Sequence, residues 1–133
     1  MPKDIALPGL ITGLSLLAYF VFQINVGRAR VKYNVQPPQT AGNPDFERVV
    51  RVHQNTLEQL VLYLPSLWLF ALLINPVWAA GLGGLWILGR ILYAWGYYKA
   101  AEKRGPGFGI SALATLALLI GGIVGAVRVL LAA

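Results

Sequence analysis

DFERVVRVHQNTLEQLVLYLP, from Asp45 to Pro65, is the stretch whose reading decides the fold. It is largely apolar, yet Arg48, Arg51, Asn55 and Glu58 interrupt it at spacings of three, four and three. At roughly 100° per residue these side chains fall within about 80° of one another, so they form one polar stripe on an otherwise apolar helix. In hydrocarbon a charged side chain costs ~2.5 kcal/mol or more, and the stripe must therefore face protein, water or a ligand. The same residues read as a membrane span by their length and as a functional site by their stripe.

The rest of the chain agrees with a membrane span. Of 133 residues, 57% are hydrophobic and 12% charged, with a mean hydropathy of +0.64. That is too apolar and too sparsely charged for a water-soluble domain of this length. Working outward from the stripe, four spans can be drawn over residues 5–26, 46–74, 77–104 and 108–131, each matching the roughly 20 residues that cross a bilayer core. The expected fold class is all-α: a left-handed, antiparallel four-helix membrane bundle, one domain over residues 1–133. The first span has only Lys3 as a cation ahead of it and no small-residue cleavage site, and it is read as a retained helix. There is no cysteine, so any sulfur chemistry has to come from a bound thiol. The lone histidine, His53, does not make a metal site, and no metal is expected.

Charge orients the spans. Arg28, Arg30, Lys32, Arg48 and Arg51 cluster around the first connection, and Lys99, Lys103 and Arg104 around the third. The positive-inside rule places these connections in the cytoplasm and both termini outside, with a bacterial inner membrane preferred over the endoplasmic reticulum. The net charge of +6 is mostly this bias. No basic helix face or aromatic-interleaved loop suggests a nucleic-acid partner. Asn43-Pro44-Asp45 reads as an N-cap, an N1 proline and an acidic first turn. Asn75-Pro76 is a tight turn that makes the second and third helices antiparallel neighbours. The third helix is expected to continue to Arg104 and to stop at Gly105-Pro106-Gly107, a rod of ~42 Å projecting beyond the bilayer core.

That helix carries a second polar face, because Arg90, Tyr93, Tyr97 and Arg104 return to within roughly 60° of one another. The two stripes are expected to meet, with Glu58 and Arg90 at similar depth and paired to relieve both burial costs. Guanidinium groups, one deep carboxylate, an amide and two phenols suit a small zwitterion with extra carboxylates. Beyond Pro65 the bundle is expected to be dry, which leaves an ion or proton path without support. Each residue also has a plain structural reading. Arg48 and Arg51 can snorkel, Arg90 can be only a structural partner of Glu58, Tyr93 can be an interfacial aromatic like Trp78 and Trp95, and Lys99 and Lys103 serve orientation. Gly9 with Gly13, and Gly121 with Gly125, permit close helix approach.

Several separated motifs fall in one order: GRARVKY (Gly27 to Tyr33), PP with TxGxPxFERVxR (Pro37 to Arg51), QNxxE (Gln54 to Glu58), GRxLYxxGY (Gly89 to Tyr97) and the basic end AAEKR (Ala100 to Arg104). In these the chain resembles the membrane-associated eicosanoid and glutathione metabolism family, in its branch of microsomal glutathione transferases and leukotriene-C synthase. The resemblance implies a homotrimer with glutathione sites between subunits near the cytoplasmic face. It implies that Arg30, Arg51, Asn55 and Glu58 hold glutathione, with His53 beside them, that Tyr93 and Tyr97 line the pocket, and that Arg104 stabilises the thiolate, the nucleophilic form of the thiol. Glutathione is then the co-substrate. The second substrate is a lipophilic electrophile or lipid hydroperoxide from the membrane lipid, giving transferase and peroxidase activity. His53, Gln59 and Val31 depart from the leukotriene-forming pattern. The alternative is a non-enzymatic lipid-presenting scaffold, as in the five-lipoxygenase-activating protein of the same fold.

Overall fold

The computed structural model describes residues 3–132. Its elements are α1 (Lys3–Tyr33), α2 (Pro44–Leu73), α3 (Pro76–Lys99), a 3-10 turn (Ala101–Arg104) and α4 (Gly105–Ala132). All four long helices have the length and apolar content to cross a membrane. Two of them start on the same device. The Asn43 side chain accepts from the Phe46 N–H at 3.0 Å, and that of Asn75 from Val77 and Trp78 at 2.8 and 3.0 Å. A proline follows each cap at a position whose N–H has no helical acceptor.

α1 is longer than the apolar span predicts. GRARVKY continues the helix because Ala29 packs with Phe46 and Val50 of α2, while Arg30 and Lys32 sit favourably at the negative end of the helix dipole. It stops where Asn34 turns left-handed, at φ 57°. The Val35 N–H then returns to the Arg30 carbonyl at 3.0 Å, closing a C-terminal cap.

α3 is shorter than expected, and the rod reaching Arg104 does not form. Ala100 is extended, and the following turn folds back on Gly96, where a Cβ would collide with the Lys103 carbonyl oxygen. Gly105-Pro106-Gly107 opens α4 and does not simply end α3. Pro106 is tolerated in the first turn of a helix. Gly107 is needed for close approach, since a Cβ there would strike the Tyr93 backbone. A Cβ at Gly89 would likewise come within 2.7 Å of the Ser111 nitrogen. The α3–α4 crossing is thus tight next to Arg90, Tyr93 and Ser111.

The core runs through Leu60, Tyr63, Leu67, Trp86 and Leu118. Tyr63 stacks on Trp86 with centroids 3.9 Å apart, and its hydroxyl meets Ser15 at 2.9 Å. The bundle interior also carries buried hydroxyls, each paired within the protein. Ser66 and Thr115 satisfy theirs on the carbonyls of Leu62 and Ser111, while Trp68 donates to Thr12 at 3.0 Å. Of the two glycine pairs, Gly121 and Gly125 pack on Phe70 and Leu73 of α2, whereas a Cβ added at Gly9 or Gly13 would point into open space.

Candidate functional site

The polar stripe of α2 and the aromatic face of α3 do come together. Arg90 is fully buried, at 0% exposure, and lies 4.1 Å from the centre of the Tyr93 ring. Tyr93 meets Tyr97 edge to face at 5.5 Å, and the Arg104 guanidinium stands 5.7 Å over Tyr97. A ladder of two phenols held between two cations therefore runs from the interior to the edge of the bundle. Arg104 belongs to it although it sits on the 3-10 turn and not on α3, and its Nη1 donates to the Ala101 carbonyl at 2.6 Å.

The pair expected between Glu58 and Arg90 does not form. Arg90 donates instead to Asn55 Oδ1 at 2.8 Å, Thr56 Oγ1 at 3.3 Å and Ser111 Oγ at 3.2 Å. Glu58 lies 3.8 Å from Arg51, with the two side chains 60% and 47% exposed. The cause is helical phase: Thr56 points inward with Arg90, whereas Glu58 stands on the outer side with Arg51. Asn55 lies between them, its amide nitrogen 3.5 Å from Glu58 Oε1. Thr56 and Ser111 were not singled out from sequence. The available signal was a hydroxyl at the depth of a buried arginine on each neighbouring helix.

A hollow of about 280 Å³ opens beside this ladder, lined by Arg51, Gln54 and Tyr97 with Thr40, Glu47 and Arg48. Arg48 pairs with Asp45. Not every predicted site residue reaches this hollow. Arg30 borders a different one, with Gly27, Asn34 and Pro37, and is held there by the Gln39 carbonyl at 2.7 Å and the Phe46 ring at 5.1 Å. His53 turns to α1 and stacks on Tyr19 with centroids 4.8 Å apart. One protomer thus separates the expected site residues: Arg51 and Tyr97 line one hollow near Asn55, Glu58 and Arg104, whereas Arg30 borders another and His53 packs on α1.

The profile of the MAPEG family matches residues 8–124, which reaches into all four helices. The chain belongs to this family. Among MAPEG relatives, an uncharacterized protein of Synechocystis sp. is 60% identical over 116 residues, 87% of this chain and 85% of its own. Human microsomal glutathione S-transferase 2 is 46% identical over 106 residues, 80% of this chain and 71% of its own. Leukotriene C4 synthase of Cavia porcellus is 36% identical over 104 residues, covering 78% and 69%. With the family shown and four spanning helices, this is a multi-pass membrane protein.

Proposed function

We propose that the chain is a membrane glutathione S-transferase, working as a homotrimer and also reducing lipid hydroperoxides. The observation that carries this reading is the Arg51–Glu58 face. A carboxylate that is 60% exposed on one protomer, within an apolar helix, is costly against lipid. A neighbouring subunit and a charged ligand together remove that cost, and the zwitterionic γ-glutamyl end of glutathione supplies the matching charges: carboxylate to Arg51, ammonium to Glu58. Arg30, which borders a different hollow, is then available to the site of an adjoining subunit, while His53 packs on Tyr19 within its own protomer. The relatives named for glutathione transfer and leukotriene C4 synthesis support the same choice.

Chemistry follows from the edge of the ladder. The glutathione thiol gives up its proton to water, and the Arg104 cation stabilises the thiolate. In transfer, a sulfur–carbon bond forms as the leaving group departs with its electron pair, or as an epoxide opens. In peroxide reduction, the thiolate attacks the hydroperoxide, the oxygen–oxygen bond breaks, and a second glutathione releases the disulfide with alcohol and water. Glutathione enters from the basic, cytoplasmic side and the apolar substrate from the bilayer. Titration of the detergent-purified protein with glutathione, following thiolate absorbance, tests this function. Saturable thiolate formation is expected. Lipid binding with no thiolate would establish a scaffold instead.

A further inference from the structure

A second hollow, of about 510 Å³, opens between the basic C-terminal ends of α1 and α3 and the start of α2, and shares no lining residue with the first. Asn25, Arg28, Lys32 and Tyr33 of α1, Val49 of α2 and Tyr98 of α3 bound it. Asn25, Arg28 and Lys32, at offsets of zero, three and seven, lie within about 60° on α1. Neither cation is neutralised: the ion pairs among the described residues are Arg48–Asp45 and Arg51–Glu58, and no acidic residue lines this mouth. Asn25 donates to the Tyr98 oxygen at 3.2 Å, which leaves the Tyr98 O–H as a donor toward the opening. Exposed Val21 and Ile24 continue the same side of α1 toward the hydrocarbon. One track therefore runs from apolar surface, past the phenol, to two unpaired cations at the level where lipid headgroups lie.

We propose that this three-helix mouth binds the phosphodiester headgroup of an anionic phospholipid. The phosphate oxygens accept from the Arg28 guanidinium, the Lys32 ammonium and the Tyr98 hydroxyl, while an acyl chain lies along Val21 and Ile24. Phosphate is an acceptor-only anion and the hollow offers only cations and donors at its charged end. The site is independent of glutathione chemistry and belongs to the intact membrane protein.

The test uses the full-length protein released from nanodiscs of equal phosphatidylglycerol and phosphatidylcholine into native mass spectrometry. Wild type is expected to retain phosphatidylglycerol preferentially. Arg28→Gln with Lys32→Gln, both exposed and so compatible with folding, should reduce that preference about tenfold, from the loss of two surface cations. Tyr98→Phe should reduce it in part. Lys99→Gln with Lys103→Gln, which removes the same charge at another edge, should leave it intact. Equal retention by wild type and the Arg28/Lys32 variant overturns the site, and so does equal loss in the Lys99/Lys103 variant, which would mean bulk attraction. Displacement of the lipid by millimolar inorganic phosphate would also overturn it, in favour of a free-phosphate site.

Discussion

Arg90 donates to the carbonyl oxygen of Asn55 at 2.8 Å, and that contact decides which end of the amide faces Glu58. Arginine has donors only, so Asn55 must turn its oxygen inward and its NH₂ outward, 3.5 Å from the Glu58 carboxylate. A buried cation thereby sets the polarity of a group beside Glu58. The predicted consequence separates stability from binding. Arg90→Met removes a buried charge that has no carboxylate contact, so thermal stability in detergent should hold or rise. Glutathione affinity should fall about tenfold as the Asn55 amide loses its orientation. Asn55→Ala should lower both. A large loss of melting temperature in Arg90→Met, with unchanged affinity, would overturn this role.

Arg51→Ala and Glu58→Ala should each weaken glutathione binding by ~2 kcal/mol or more, since each truncation strands the charge opposite it. At 3.8 Å the two are not in close hydrogen-bonded contact, so the variants should be read mainly in binding. Calorimetry showing wild-type affinity in both variants would remove them from the site.

Arg104→Ala should lower turnover with a model aryl halide ~10²-fold while changing glutathione affinity less than about tenfold, because the cation acts on the sulfur anion more than on the neutral thiol. The thiol pKa of bound glutathione should rise, read from thiolate absorbance against pH. Arg104→Lys should recover part of the rate, as charge returns without the planar fork. Wild-type turnover in Arg104→Ala would transfer thiolate stabilisation to Arg30 or Tyr93.

Gly96→Ala should resemble a mild Arg104 variant. An added methyl meets the Lys103 carbonyl and must push the 3-10 turn away from α3, carrying Arg104 off Tyr97. Turnover should fall more than affinity. Gly107→Ala meets Tyr93 backbone and should instead cost about 1–3 kcal/mol of stability through overpacking. Thermal melts and initial rates on the same preparations distinguish the two.

The membrane class, the four helices and the Asn43-Pro44 start were legible in the sequence because hydropathy and capping are local, whereas Asn75-Pro76 read only as a turn and proves also to cap α3. The stripe of α2 was legible as well, since helical phase follows from residue number alone. What was not legible depended on contacts between helices. Glycine marks a helix end in sequence, but at Gly96 and Gly107 it serves close backbone approach, so α3 ended early and α4 began early. The partner of Arg90 was misjudged because depth along two helices was compared without their rotation. Thr56 and Ser111 were nearer in phase than Glu58.

Since Arg51 and Arg30 open into different hollows of one protomer, a defect in either is local to one of its two faces. On the proposed shared site, two impaired variants, Arg51→Ala and Arg30→Ala, are expected to rescue each other when their subunits assemble together. If the subunits form the proposed homotrimer, each head-to-tail junction takes one face from each neighbour, and about one junction in four of an equal random mixture receives two intact faces. Activity that returns on co-expression, and never on mixing the preassembled proteins, would make the enzyme's unit of function the junction and not the chain.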